Sequence, residues 1–252
     1  MFVDSHCHLD QVEGLEVLLS RAREAGVERI VSCATSPASV QAHLSRFKGS
    51  GQVCLALGLH PEELLLLDLT EAQAAFRNIE ANLSLATAVG EVGLDYKYAA
   101  LDAQRAYQRD YFSRFIALAK KHDKPLNVHS RRAERQTLEQ LIAEGASRVL
   151  LHWFTGSSKL CKLAAAQGYF VSCGPSLLTN ELTQGVVKGI PLENLLLETD
   201  APVPYALPEG TLASEPAWIP RVAAKVAELK GLSPAEVERQ TEKNARALWG
   251  FP

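Results

Sequence analysis

Within its first ten residues, MFVDSHCHLD, the chain places two histidines at alternate positions, His6 and His8, between Asp4 and Asp10. Alternate residues of a strand project to one side, about 6.6 Å apart along it, so the two imidazoles are able to meet one cation. Groups of the same chemistry recur further on: His60 in GLHP, Glu91 in GEVGLD, His129 in NVHS, His152 in LLHWFTG and Asp200 in LLLETDAP. A divalent ion of borderline softness takes imidazole nitrogen and carboxylate oxygen together. His6, His8, Glu91, His129, His152 and Asp200 offer six donors. That is too many for one open tetrahedral site and a suitable number for two ions sharing a bridging carboxylate. Each residue alone has an ordinary structural role open to it: a hydrogen-bonded histidine, a loop cap for Glu91, a turn before Ala-Pro for Asp200. His60, ahead of Pro61, stays open between the two readings.

Other residues divide differently. Asp4 and Glu198 stand two residues before a proposed ligand and share its face, a position from which a carboxylate orients a histidine, though a buried hydrogen-bonding role fits as well. Cys7 alternates away from the histidines and reads as core, and the remaining cysteines show no histidine partner in the pattern, which argues against thiol chemistry. Lys97 and Arg131 are placed to contact phosphates locally, Arg132 less so. Trp153 and Phe154 are able to stack on a base, but packing is the commoner use of such residues. His43 and His122 fall in helical or helix-exit segments and are expected to be solvated.

The elements that must position these groups repeat as one unit: a short β-branched or apolar run, a helical pattern, then Gly or Pro. Strands are expected at 2–7, 29–33, 53–58, 84–89, 125–129, 148–152, 169–173 and 194–199. Between them, Leu15-Leu18-Leu19-Ala22, Tyr107-Tyr111-Phe115-Leu118 and Leu138-Leu141-Ile142 carry apolar residues three and four apart, as helices packed on a sheet do. Eight βα units with no GxGxxG or GxxxxGK[ST] fit a TIM-type (β/α)8 barrel better than an open doubly wound sheet. A helix at 216–229 is followed by one extra C-terminal helix, announced by Ser233-Pro-Ala-Glu with its N-cap, Pro at the first position and acid in the first turn. The active site of such a barrel lies at the carboxyl ends of its strands. Five of the seven histidines, Glu91 and Asp200 sit at or just beyond those ends.

Composition bounds the partners. The 252 residues, 47% hydrophobic and 22% charged, form no linker or low-complexity tract and read as one domain over 1–252. No apolar run spans a bilayer, and Phe2-Val3-Asp4 after Met1 has no signal-peptide pattern, so neither membrane contact nor secretion is expected. Five cysteines without a CxxC pair read as reduced thiols in the cytoplasm. A net charge of −3 excludes a global electrostatic footprint for nucleic acid, so any such partner is held locally.

Taken together, DSHCHLD, GLHP, GEVGLDY, Gln108 through Phe112, NVHSR, HWFTGS, LETDAP, SEP and TEKNARALWG resemble the TatD family of metal-dependent hydrolases, many of them deoxyribonucleases, within the amidohydrolase-like barrels. The resemblance runs over nearly the whole chain. It implies that His6 and His8 bind one metal, His129 and His152 the other, that Glu91 bridges them, and that Asp200 binds metal and handles protons. It also implies that His60 and Glu215 belong to the pocket. Two departures fall after the eighth strand: Ser214 stands where the family commonly has Asn, and Tyr205-Ala-Leu-Pro-Glu-Gly lacks the family's basic residue. They bear on substrate preference rather than on hydrolytic chemistry. The expected activity is hydrolysis of DNA phosphodiesters, trimming ends, by a water activated between two divalent ions (Mg²⁺, Mn²⁺ or Zn²⁺), with the chain a monomer. An ester or amide hydrolase of the same barrel type, such as a D-aminoacyl-tRNA deacylase or a small-molecule lactonase, is the alternative. A non-catalytic binding barrel is a third, marked by lost ligands, and none is lost here.

Overall fold

The computed structural model describes residues 1–208 and 210–251. Eight strands form one sheet in sequential order, each pair parallel: β1 (Phe2–Cys7), β2 (Val27–Cys33), β3 (Val53–Leu57), β4 (Ala88–Asp95), β5 (Leu126–Arg131), β6 (Val149–Leu151), β7 (Phe170–Cys173) and β8 (Leu195–Leu197). The helices are α1 (Leu15–Glu24), α2 (Pro37–Phe47), α3 (Pro61–Leu64), α4 (Leu69–Asn82), α5 (Asp102–Lys121), α6 (Glu134–Ala143), α7 (Ser158–Ala166), α8 (Glu181–Gly189), α9 (Ile219–Lys230) and α10 (Pro234–Trp249). This is a TIM barrel, and it closes just beyond its last strand. Asp200 N–H donates to the His6 carbonyl (2.9 Å) and His8 N–H to the Ala201 carbonyl (2.7 Å).

Two buried apolar groups follow from strand alternation. Outward residues such as Ile30, Leu55, Val92, Val128, Val171 and Leu197 pack on the helix ring. Val3, Val31, Cys33, Ala56, Ala88, Leu150 and Leu196 form a second cluster with Ala245, Leu248 and Trp249 of α10. The extra helix therefore supports the barrel from below the site. Its start is fixed by a capping box, Ser233 with Glu236, and by Pro234 at the first position. The Met1 ammonium pairs with Glu242 (2.7 Å) and Glu238 (3.1 Å) on the same helix.

Three expectations change. The fourth strand is not 84–89: residues 83–85 make a 3-10 turn, and β4 runs through all of GEVGLD, so Glu91 lies inside the strand and not after it. The polar, Gly-rich stretch remains a strand because every one of its residues is buried and its glycines admit close neighbours. At Gly93, with φ of 145°, a Cβ would stand 2.1 Å from the His129 carbonyl oxygen. Only glycine tolerates that contact. His43, expected to be solvated, is fully buried, because Ser32 Oγ lies 2.8 Å from its Nε2 and the Ser39 carbonyl 2.8 Å from its Nδ1. After β8 comes an antiparallel hairpin that the pattern does not announce, β9 (Pro204–Leu207) with β10 (Gly210–Ala213). Among the described residues no helix is long and apolar enough to cross a membrane.

Candidate metal centre

β1 carries His6, and the register shift between Asp4 and Cys7 accompanies the turn that brings His8 up beside it. Their Nε2 atoms are 3.2 Å apart. Asp200, just past β8 with φ of 53°, sets Oδ1 at 3.4 Å from His6 Nε2 and 3.2 Å from His8 Nε2. Glu91 from β4 faces two ways. Its Oε2 lies 3.6 Å from His6 Nε2 and 3.5 Å from His8 Nε2, whereas its Oε1 lies 2.8 Å from His129 Nδ1 and 3.3 Å from His152 Nε2. All four expected histidine ligands thus converge on one buried carboxylate, Glu91, and Asp200 joins them through His6 and His8.

The donor set can be tested against a metal by its edges. Ligand atoms about 2.1 Å from an ion stand roughly 3 to 3.5 Å from one another. The contacts of His6, His8 and Asp200, at 3.2 to 3.4 Å, have that length. The far side of each ring agrees: His6 Nδ1 meets Asn127 Oδ1 at 2.8 Å and His8 Nδ1 meets the Cys33 carbonyl at 2.9 Å. Both partners only accept there, so each ring carries an N–H at Nδ1 and presents Nε2 to the space shared with the carboxylates. His129 Nε2 meets Asp95 Oδ2 at 3.0 Å and His152 Nδ1 meets Glu198 Oε2 at 3.3 Å, leaving the opposite nitrogens for Glu91. The residues fit divalent cations.

His60 is arranged otherwise. The Glu62 N–H donates to His60 Nδ1 (3.1 Å) as α3 begins, so the ring proton belongs on Nε2. That nitrogen lies 3.3 Å from His129 Nδ1 and 3.7 Å from Glu91 Oε1. It is a hydrogen-bond donor directed at the centre.

Electrostatics match a site awaiting positive charge. Burial raises the Glu91 carboxyl, but the imidazoles of His60, His6 and His152 outweigh it and hold the group well below the usual carboxylate range. Asp200 is likewise buried, and His6 and His8 depress it. Burial works against a charged His8, yet Asp200 and Glu91 push its pKa up to about 9. His60 goes the other way, to about 3, through burial and the neighbouring His129, and stays neutral. Asp4 is raised to about 8 by burial, with the Glu198 charge adding to the rise, and its hydrogen bonds to Thr199 and to the His6 backbone only partly offset them.

The remaining expectations fare unevenly. Glu198 does face His152, but Asp4 holds no imidazole: its oxygens accept from the backbone and hydroxyl of Thr199 and from the His6 N–H. Cys7 is buried core. Cys33 has a histidine neighbour after all, its Sγ lying 3.5 Å from His6 Nδ1, yet burial keeps the thiol protonated. Lys97, Arg131 and Arg132 are exposed, Lys97 above the Tyr98 ring. Phe154 is core, whereas Trp153 is half-buried with its ring 5.6 Å from that of Tyr205 in the hairpin. Glu215 is not turned to the histidines but bound by Arg21 of α1, through Nε at 2.9 Å and through Nη2. Asp95, Asn127 and Gln108 were missed. Gln108 accepts from the Asp95 N–H (3.0 Å) and donates to the Pro61 carbonyl (3.0 Å), tying the His60 loop to β4. Asp95 and Asn127 each lie an even number of residues from a proposed ligand on one strand, a signal that would have found both.

A barrel of this kind with such a centre at its carboxyl face is the architecture of a metal-dependent hydrolase. The chain belongs to the TatD-related DNase family, whose sequence model matches residues 3–250. It is 36% identical over 260 residues to the human protein named Deoxyribonuclease TATDN3, covering 98% of this chain and 94% of that one. It is 34% identical over 260 residues to a Mycobacterium tuberculosis protein named Uncharacterized metal-dependent hydrolase TatD, covering 99% and 98%. The crystal structure of a TatD homologue from Escherichia coli K12 superposes with a TM-score of 0.85 at 28% identity, over 100% of this chain and 98% of that one.

Proposed function

We propose that the chain is a deoxyribonuclease that hydrolyses DNA phosphodiester bonds with two divalent cations, Mg²⁺, Mn²⁺ or Zn²⁺. The observation that carries this reading is the division of Glu91, one oxygen toward His6 and His8 and the other toward His129 and His152. His6, His8 and Asp200 would hold one cation and His129 and His152 the other, with Glu91 within reach of both. Such ions supply Lewis acidity toward a phosphoryl oxygen and make a water acidic enough to attack near neutral pH. Asp200, whose Oδ1 faces His6 and His8, would orient the attacking water, take its proton and return it to the leaving oxygen. His60 donates from Nε2 to the phosphate, and exposed Lys97 and Arg131 steer the strand. Glu215 acts at one remove, anchoring the loop after the hairpin through Arg21.

The DNA substrate is supported by the name of the human relative. One barrel carries every residue of the proposed centre, which supports a single catalytic domain, and the reading calls for no second copy of the chain. The five cysteines are free thiols, which supports a reducing compartment such as the cytoplasm.

The test incubates metal-reconstituted protein with end-labelled single- and double-stranded DNA, beside D-aminoacyl-tRNA and generic esters. DNA cleavage is expected to stop with chelator and return with added cation. Glu91→Ala and Asp200→Asn should each lower the rate by roughly 10²-fold or more, with the circular dichroism spectrum unchanged. Full activity in either variant overturns the assignment, and ester cleavage without DNA cleavage replaces the nuclease by a deacylase or lactonase.

A further inference from the structure

Viewed from their outer nitrogens, the four histidines are of two kinds. Those of His6 and His8 meet neutral acceptors, Asn127 Oδ1 at 2.8 Å and the Cys33 carbonyl at 2.9 Å. Those of His129 and His152 meet carboxylates, Asp95 Oδ2 at 3.0 Å and Glu198 Oε2 at 3.3 Å. Both carboxylates are fully buried, so their charge is poorly screened. The pair with neutral backing has Asp200 as a carboxylate of its own. The inner nitrogens of the pair backed by carboxylates meet, among the described residues, one carboxylate, the shared Glu91. Negative charge absent from direct contact on that side is thus returned through the rings, and an imidazole whose N–H is held by a carboxylate is the more basic donor at its other nitrogen.

We propose that Asp95 and Glu198 set the affinity of the cation position at His129 and His152 alone, so that the two positions bind metal by separate means. The inference rests on the two-cation reading above. Asp95 is the positioning residue that can be tested most cleanly. Its Oδ1 accepts the N–H groups of Lys97 (2.8 Å) and Tyr98 (3.3 Å), and its Oδ2 is left for His129. In Asp95→Asn the amide oxygen keeps both backbone bonds, while the amide NH₂ faces His129 Nε2 and is unable to accept its proton. That proton is driven to Nδ1, the nitrogen directed at Glu91, where a cation must then displace it.

The experiment titrates metal-free wild type and Asp95→Asn with Mn²⁺, followed by calorimetry and by electron paramagnetic resonance. Wild type should take two equivalents and develop the signal of a spin-coupled pair. Asp95→Asn should bind its first equivalent as wild type does and its second about 10- to 100-fold more weakly, the coupled signal returning at high Mn²⁺. Glu198→Gln, which perturbs His152 from a different strand end, should behave alike and serves if Asp95→Asn fails to fold. Unchanged binding of both equivalents, or equal weakening of both, overturns the inference and leaves the two-cation reading in place. A wild type that takes only one equivalent removes that reading and the inference with it.

Discussion

Asn127 is held at both ends of its amide: Nδ2 donates to the Ser5 carbonyl (3.0 Å) and Oδ1 lies 2.8 Å from His6 Nδ1. The ring of His6 therefore has one orientation, the one that turns Nε2 toward Asp200 and Glu91. Asn127→Ala should weaken cation binding about 10- to 100-fold, read by competition with a fluorescent chelator. Wild-type affinity in that variant would reduce the amide to a packing role. At this scale the sequence was legible where the residue type itself is informative: a histidine or an acid at a strand end has few ordinary reasons to be there. Asn127 and Asp95 were harder to see, because an amide or an acid buried beside a ligand differs from a turn former only in what it touches. Alternation along the strand put Asp4 and Glu198 on equal terms, and the fold then gave only Glu198 a histidine.

Among the elements, β4 departs furthest from expectation, and for an instructive reason. Its centre reads GEVG, which lacks the β-branched run that marks a strand. The glycines are there because neighbouring strands come too near for a side chain: a Cβ at Gly90 would stand 2.6 Å from Asn127 Cβ, and one at Gly93 2.1 Å from the His129 carbonyl oxygen. Propensity gives way to the spacing that delivers Glu91. Gly93→Ala combines a positive φ with a clash against backbone, and should cost roughly 4 kcal/mol or more, lowering the melting temperature by about 10 °C. A melting temperature within a degree or two of wild type would show that β4 and β5 separate readily. The hairpin was illegible for a different reason. Its second strand, Gly210–Ala213, is exposed throughout and has no apolar alternation to betray it.

For the whole molecule, the barrel was readable because its unit recurs eight times, whereas the role of the last helix was not: nothing in a C-terminal amphipathic pattern says which end of a barrel it covers. The clasp between α10 and the N-terminus makes a pH-dependent contribution. The Met1 ammonium and Arg246 lower the Glu242 carboxyl, whose contribution is present above its ordinary value and lost as pH falls through the depressed one. Burial opposes the ammonium, but Glu242 and Glu238 raise it from 8.0, so its share holds below that value and is lost as pH rises through the raised one. Glu242→Gln should lower the melting temperature by about 1 to 3 °C, most between roughly pH 5 and 8. Only the Arg246 share should remain in more alkaline solution, and a difference that keeps growing there would contradict the clasp. The closure of the barrel reaches further. Thr199 N–H donates to Asp4 across 195 residues, and the backbone bonds from Asp200 to His6 and from His8 to Ala201 join the first ligand segment to the last. Contacts of such separation carry the largest loop-closure entropy and form late in folding. A chain emerging from the ribosome exposes its first two histidines long before Asp200 exists, so the groups of the candidate centre should come together only once the barrel has closed.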